Sequence, residues 1–219
     1  MKDPVNDRSA DQDGTIAAIV NDAMTIFGWC EGQAANEAIR VCLALPTRPV
    51  IVQIGIFMGR STALLAGACR VRADAKVYCV DPVYGSGDDF SVPYYAEELR
   101  NSGYSSLELA FVDNMRRLRL EEWIKLNKVT GQAAAKSWSQ PIDLLWLDAD
   151  QSPSGAREIF EAWVPFLRTG GTLVLRNTAD RAYAPGHDGN RRLVQEVIHP
   201  PIFDSIRQID ATTFAVRAS

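Results

Sequence analysis

Two glycines and one aspartate stand where apolar runs end, at a spacing that suits a nucleoside ligand. The run Val50–Ile54 breaks at Gly55 and Gly59 before a helical stretch, and the run Val77–Val80 ends on Asp81, 22 positions after Gly59. Glycine lets the backbone approach a ligand, and a following helix start offers unpaired N–H groups. The carboxylate can accept hydrogen bonds from ribose hydroxyls. The pattern therefore predicts a nucleoside cofactor at this strand end.

Further polar or glycine residues follow other apolar runs. In α/β sheets, ligands bind at the carboxyl ends of the strands. The sequence places five residues from five strands on one rim: Gly55, Asp81, Gly131, Asp148 and Asn177.

Three residues near this rim could act on an acceptor molecule. Asp148 and Asp150 could each bind a metal, orient an acceptor or act as a base, or could instead cap the helix that follows; an active-site role is favoured for Asp148 and balanced against capping for Asp150. His187 lies in a loop, where it could deprotonate a hydroxyl group or simply face solvent;. Trp29 precedes the first strand and could line an acceptor pocket or pack in the core. Ser61 and Thr62 are interpreted first as helix-capping residues.

Strands and helices alternate along most of the chain, which predicts a mainly parallel sheet covered on both faces. The predicted strands are Pro49–Ile54, Lys76–Val80, Ile124–Thr130, Ile142–Leu147, Thr172–Leu175, Phe203–Ile209 and Thr212–Val216. The last two are close enough to form a hairpin, so one strand must be antiparallel. The predicted helices are 16–27, 34–45, 61–69, 94–101, 107–118, 132–137, 155–167 and 191–197.

The chain of 219 residues predicts a single domain with a short leader;. Residues 1–13 are polar and are interpreted as a disordered leader. Residues 14–219 form the domain, with N-terminal helices over 14–48 and an α/β core over 49–219. The loop Val83–Ser91 could close over the ligand.

Composition and charge indicate which classes of molecule the protein is expected to bind. The net charge of −4 and the pI near 5.3 argue against nucleic acid or an anionic membrane;. The chain has neither a secretory signal nor an 18-residue apolar run;. The four cysteines are scattered, which suits core residues in a reducing cytoplasm;. A small-molecule acceptor is the expected partner, and the N-terminal helices could form a homodimer surface.

These motifs resemble the class I S-adenosylmethionine-dependent methyltransferases, in a bacterial O-methyltransferase-like branch. The matching segments are QIGIFMGRST, VDP, DADQS, RTGG and RN, and the resemblance extends from Phe27 to Ser219. It implies a Rossmann-like, doubly wound sheet of seven strands, the last of them antiparallel. It also implies methylation of a small hydroxylated metabolite or sugar.

The resemblance assigns roles to individual positions. It puts Gly55 and Gly59 beside the methionine part of the cofactor and Asp81 on the ribose. Gly131 and Gln132 would border the adenine. Asp148 would lie near the sulfonium and the acceptor, and cofactor contacts are also expected at Gln53 and Ser61.

Three substitutions separate this chain from the pattern. Gln53 replaces an acid, Gln151 replaces a histidine, and Arg176-Asn177 replaces a His-Asp pair. Relatives bind a divalent metal at the positions of Asp148 and Asn177. A neutral amide next to a guanidinium disfavours a hard dication, so we predict no metal. Proton removal would then depend on Asp148 or His187.

Two other functions stay open. The same three substitutions would suit a non-catalytic S-adenosylmethionine-binding protein or an inactive subunit. A nicotinamide-dependent oxidoreductase would share the strand-end Asp81. However, it would need G-x-G-x-x-G where this chain has G-I-F-M-G;.

Overall fold

The computed structural model describes residues 4–219, with side-chain surroundings from residue 11 onward. Its centre is a seven-stranded sheet in the order β3-β2-β1-β4-β5-β7-β6. The strands are β1 (Ile51–Ile54), β2 (Val77–Val80), β3 (Ile124–Asn127), β4 (Ile142–Leu147), β5 (Leu167–Arg176), β6 (Phe203–Ile209) and β7 (Thr212–Arg217). Strand β7 runs antiparallel to both β5 and β6, whereas the pairs among β1 to β5 are parallel. The predicted fold class and terminal hairpin are confirmed.

The register of the central strands sets the height of the rim. Ile54 pairs with Val80 on one side and with Leu147 on the other. Gly55, Asp81 and Asp148 therefore follow at one level, at the carboxyl ends of three adjacent strands. Sheet pairing alone brings these distant positions together.

Eight α-helices flank the sheet in the described part of the chain. They are α1 (Pro4–Met24), α2 (Gly32–Ala44), α3 (Arg60–Arg72), α4 (Ser91–Asn101), α5 (Leu107–Arg117), α6 (Gly131–Ala135), α7 (Pro153–Trp163) and α8 (Gly189–Glu196). Helices α1, α2, α3 and α5 pack on one face around buried residues such as Leu64 and Phe111. Helices α6, α7 and α8 cover the other face around residues such as Trp163 and Leu193. Both faces of the strands are apolar because both are covered.

The N-terminus differs from its prediction. Helix α1 already begins at Pro4, so most of the predicted 1–13 leader is helical, and residues 1–3 lie outside the described residues. A polar segment can still be helical. Its residues can extend a helix whose later turns are held in place by tertiary packing. From residue 11 onward, Ile16, Ile19 and Ala23 bury the helix against the core.

Two other boundaries moved for local reasons. Strand β5 begins at Leu167, five residues before the predicted start, because Gly170 and Gly171 continue the strand instead of interrupting it. The predicted helix 155–167 ends at Trp163 and is followed by a short 3-10 turn over Val164–Phe166 that contains Pro165. Within the described residues, no helix combines the length and apolar character that a membrane crossing requires;.

Candidate functional site

Gly55 forms the turn that ends β1. Its φ is +84°, and a Cβ at this position would lie 2.2 Å from the backbone oxygen of Asp148. No side chain fits there, since real Cβ atoms do not approach backbone oxygen so closely. Glycine is thus required by the close contact between the ends of β1 and β4.

Gly59 serves a different contact. It is the N-cap of α3 with φ +99°, and its missing Cβ would meet the Cε atom of Met115 at 2.7 Å. The packing of α5 therefore explains this glycine. Gly59 is not among the residues that line the two cavities described below.

Gln53 is fully buried beneath the turn and braces it. Its amide nitrogen donates to the Gly55 carbonyl at 3.1 Å and to the Ser61 hydroxyl at 2.8 Å. Its amide oxygen accepts from the Thr62 hydroxyl at 2.9 Å. The capping prediction for Ser61 and Thr62 is wrong, because α3 already begins at Arg60 and both hydroxyls bind Gln53. Nor does Gln53 reach either cavity, so its position does not favour a direct cofactor contact.

A polar cavity of about 210 Å³ lies above β1, β2 and β4. Asp81, Gly131, Gln132, Asp148 and Asp150 are all in its wall. Asp81 accepts hydrogen bonds from the backbone N–H groups of Ile56 at 3.0 Å and Val83 at 2.7 Å. Four of the five rim residues predicted from the sequence therefore meet around one space, whereas Asn177 lines the neighbouring cavity.

The Asp81 carboxylate is short of hydrogen-bond donors. Burial raises its pKa, although the N–H groups of Ile56 and Val83 oppose the rise. A carboxylate has about four acceptor positions, so donors from a bound molecule can still join. Two hydroxyl groups of a ribose would meet that need.

Gly131 and Gln132, the two positions predicted to border the adenine, are part of the wall of the polar cavity. Gly131 begins α6, and the Thr130 hydroxyl caps that helix by accepting from the Ala133 N–H. A Cβ on Gly131 would lie 2.5 Å from Ile159, so α7 packs directly on it. Gln132 is exposed next to it.

An aromatic cavity of about 350 Å³ adjoins the polar one. Its aromatic wall consists of Phe27, Trp29, Phe57, Tyr94 and Tyr95. The ring centres of Trp29 and Phe57 are 5.1 Å apart, and those of Phe57 and Tyr95 are 4.8 Å apart. These rings form one continuous apolar wall, which suits the flat face of a small molecule.

The two cavities share Gly55, Ile56, Phe57, Tyr95 and Asp148. Asp148 is 26 % exposed, and burial raises its pKa to about 6 against the opposing effects of Arg176 and of the Gln151 amide. Gln151 donates to one Asp148 oxygen at 3.1 Å. A carboxylate at the junction can therefore exchange a proton near neutral pH.

Arg176 places a buried positive charge at this junction. The residue is 3 % exposed, and its terminal nitrogens donate to the Thr212 hydroxyl at 2.5 Å and to the Trp29 carbonyl at 2.7 Å. Its Nε atom has no hydrogen-bond partner and lies 3.7 Å from the nearest Asp148 oxygen. This distance is too long for a direct hydrogen bond, but it allows an electrostatic interaction between the guanidinium and the carboxylate;.

His187 also lines the aromatic cavity, with its ring 4.8 Å from that of Phe90. A buried aspartate anchors the loop that contains His187: one carboxylate oxygen of Asp88 lies 3.1 Å from the Nδ1 atom of His187. The sequence analysis gave no role to Asp88, did not identify Phe57 and Tyr95 as cavity residues, and named Arg176 only as a substitution next to Asn177. For Phe57 and Tyr95 the sequence did contain an indication, because each is a large aromatic residue next to a predicted loop, where a ligand could contact it.

The remaining predicted positions fall as follows. Trp29 lines the aromatic cavity, and Asp150 lines the polar cavity while accepting from the Ser152 N–H at 2.8 Å. Asn177 approaches His187, with 3.5 Å between its Nδ2 and the ring Nε2. The described residues contain no group of three or more His, Cys, Asp or Glu side chains arranged to hold a metal ion.

Comparison with known proteins gives a family match. A family model described as a methyltransferase domain matches residues 52–178, which is more than half of the chain. The match runs from β1 past the end of β5 and so includes the carboxyl ends of all five strands at the rim.

Solved structures share the fold over nearly the whole chain. Cofactor-bound Rv0187 from MTB is 17 % identical, with a TM-score of 0.63 over 99 % of this chain and 98 % of that one. The SAH-bound Podospora anserina methyltransferase PaMTH1 is 13 % identical, with a TM-score of 0.62 over 100 % and 97 %. The Streptomyces achromogenes O-methyltransferase TomG, in complex with SAM, is 14 % identical, with a TM-score of 0.60 over 94 % and 90 %.

Proposed function

Since the chain belongs to the methyltransferase-domain family, we propose that it binds S-adenosyl-L-methionine and methylates a hydroxyl group of a small acceptor. The observation that carries this proposal is the junction of two cavities at Asp148. One cavity contains the Asp81 carboxylate, which can accept further hydrogen bonds from a ribose, and the other has an aromatic wall that an acceptor could contact. Adjoining spaces of this kind bring two reactants together.

The polar cavity fits the adenosyl half of the cofactor. Asp81 would hold the ribose, while Gly131 and Gln132 would border the base. Gly55 would lie next to the methionine part, at the bottom of both cavities. When bound, this cofactor supplies an electrophilic methyl group on sulfur, and the protein supplies orientation and charge.

The aromatic cavity would hold the acceptor. Trp29, Phe57 and Tyr95 exclude water from one side and offer a flat face;. The arrangement of Arg176 and Asp148 favours oxygen over nitrogen as the nucleophile. A hydroxyl group is uncharged before its proton leaves, so the buried guanidinium next to Asp148 does not repel it. An amine has one lone pair and, when protonated, would be repelled by the guanidinium.

The chain offers two groups that could take the hydroxyl proton. Asp148 lies at the junction with a pKa of about 6, and His187 lines the wall of the aromatic cavity. General-base assistance of this kind contributes about 10²- to 10⁴-fold to a rate.

Calorimetry followed by a labelled-methyl assay tests the proposal. The protein should bind S-adenosylhomocysteine and not NAD, and it should transfer methyl groups to a member of a panel of phenols, sugars and other small hydroxylated compounds. Absence of binding to S-adenosylhomocysteine would contradict the proposal. Binding without transfer to any compound would favour a non-catalytic cofactor-binding protein.

A further inference from the structure

Asp88 is a buried carboxylate that the proposed chemistry has not yet used. It lies between β2 and α4 and is 6 % exposed. Within its own loop it accepts from the Phe90 N–H at 3.1 Å, the Ser91 N–H at 3.0 Å and the Ser91 hydroxyl at 2.8 Å. A surface turn does not need a carboxylate this deeply buried, because neutral side chains can cap a helix.

Two further contacts join Asp88 to other parts of the rim. One oxygen accepts from the Gln151 N–H, after β4, at 3.3 Å. The other lies 3.1 Å from the Nδ1 atom of His187, after β5. Asp88 therefore ties three strand-end loops together, and one of its partners is a histidine in the cavity wall.

The proton on His187 can be located from its neighbours. Burial raises the pKa of Asp88, but the Ser91 hydrogen bonds and His187 outweigh that effect and leave it lowered, so the group stays ionised. An ionised carboxylate can only accept, so the His187 Nδ1 must carry the hydrogen. On the other side of the ring, Asn177 Nδ2 can only donate, and it lies 3.5 Å from Nε2. The Ser91 hydroxyl lies 3.3 Å from Nδ1, and because it donates its own hydrogen to Asp88 it can accept from the ring. All three neighbours favour a ring whose Nε2 bears a lone pair.

We propose that Asp88 is a positioning residue, which holds His187 in the Nδ1–H tautomer so that Nε2 can take the proton of the acceptor hydroxyl. This proposal rests on the proposed function. As the C–O bond forms, the O–H proton moves to Nε2, and the C–S bond breaks with its electron pair remaining on sulfur. His187 then carries a positive charge opposite the Asp88 carboxylate, where a buried ion pair of good geometry is stabilised.

Nitrogen-15 NMR of the imidazole rings reads the tautomer directly, without cofactor or acceptor. The chain has only two histidines, His187 and His199, so a His199→Gln variant assigns both. At a pH where the rings are neutral, the wild-type His187 should show a protonated Nδ1 and a bare Nε2. Asp88→Ala should shift the ring toward the Nε2–H tautomer, whereas Asp89→Ala, which removes an exposed carboxylate next to it, should change nothing.

The results separate the two claims. A wild-type ring in the Nε2–H tautomer would overturn the role of Asp88, even if Asp88→Ala fails to fold. An unchanged tautomer in a folded Asp88→Ala variant would overturn it as well. Failure to bind S-adenosylhomocysteine would instead refute the proposed function and leave the NMR result standing. In turnover assays, Asp88→Ala should lower kcat about 100-fold with little change in the acceptor KM.

Discussion

The two cavities that meet at Asp148 are built in different ways. The polar cavity takes its key residues from the ends of adjacent parallel strands, where register alone aligns Gly55, Asp81 and Asp148. The aromatic cavity shares Gly55 and Asp148 with it and adds Arg176 and Asn177 at the end of β5, but most of its other wall comes from segments that the sheet does not align, namely residues 27–30, 90–95 and 181–187.

This difference separates a general part of the site from a specific one. Strand register is set by the apolar core and cannot shift without exposing a hydrophobic face. Loops can change their residues and lengths at little cost to the fold. We therefore expect the polar cavity to hold the cofactor common to the family, and the aromatic cavity to determine the acceptor of this protein.

Gly55 supports both cavities, and its substitution should have the largest effect. Gly55→Ala adds a Cβ 2.2 Å from the Asp148 backbone oxygen at a φ of +84°. Strain and overpacking together should lower the free energy of unfolding by about 3 kcal/mol or more. Urea denaturation measures it. Gly85→Ala is the matched control, since its φ is +77° but no atom lies within 4 Å, and it should cost about 1 kcal/mol;. Equal losses would show that the close contact at Gly55 is unimportant.

Asp148, at the junction, should make stability depend on pH. Its pKa is raised from 3.8 to about 6 in the folded protein, so the folded state binds this proton more tightly than the unfolded state. Relative to Asp148→Asn, the wild type should therefore lose about 2–3 kcal/mol of stability as pH rises from 4 to 7. Urea denaturation across that range tests it, with Asp89→Asn as an exposed control. A difference that is flat, or that grows in the opposite direction, would contradict burial as the cause.

Substitution of Asp81 should weaken ligand binding in the polar cavity alone. Asp81→Ala removes the acceptor proposed for the ribose hydroxyls, and the affinity for S-adenosylhomocysteine should fall about 10- to 100-fold. Isothermal titration measures this loss. Asp150→Ala, in the wall of the same cavity, is the control and should have a smaller effect. An Asp81→Ala variant with wild-type affinity would remove the basis for separating the two cavities.

Substitution of Trp29 should have the opposite effect, weakening the binding of the acceptor and not that of the cofactor. It lines the aromatic cavity and not the polar one. Trp29→Ala should raise the KM for an acceptor found in the methyl-transfer screen by about 10-fold and leave the affinity for S-adenosylhomocysteine unchanged. Trp29→Phe should restore part of the acceptor binding. If Trp29→Ala weakened S-adenosylhomocysteine instead, the division of roles would be wrong.

Removal of divalent metal should have the smallest effect. The positions at which relatives hold a metal carry Asp148 and Asn177 here, with the Arg176 guanidinium 3.7 Å from Asp148. A fixed cation and a neutral amide are poor surroundings for a hard dication. Methyl transfer should therefore persist after EDTA treatment and dialysis. Activity that disappears and returns with Mg²⁺ would contradict a metal-independent route.

The sequence predicted the polar half of the site better than the aromatic half, for a physical reason. Asp81 and Asp148 each follow an uninterrupted apolar run, and such a hydrophobic pattern identifies where a buried strand ends. Asp88 lies in a polar loop, and nothing in its neighbours shows that it is buried against His187. That contact depends on how three loops close over the rim.

Gln53 shows the opposite limit. The family resemblance predicted a cofactor contact at Gln53, yet its amide nitrogen donates to Gly55 and Ser61 and its oxygen accepts from Thr62. Local pattern identifies a polar group at the rim but not the direction in which it donates. Helix α1, which begins at Pro4, likewise shows that a polar composition does not mark where a helix ends.

A crystal structure of the complex with S-adenosylhomocysteine tests the central claim most directly. The account predicts electron density for the adenosyl group in the polar cavity, with the ribose hydroxyls within hydrogen-bond distance of Asp81 and the aromatic cavity still open. Density confined to the aromatic cavity, or a ribose that does not touch Asp81, would contradict it.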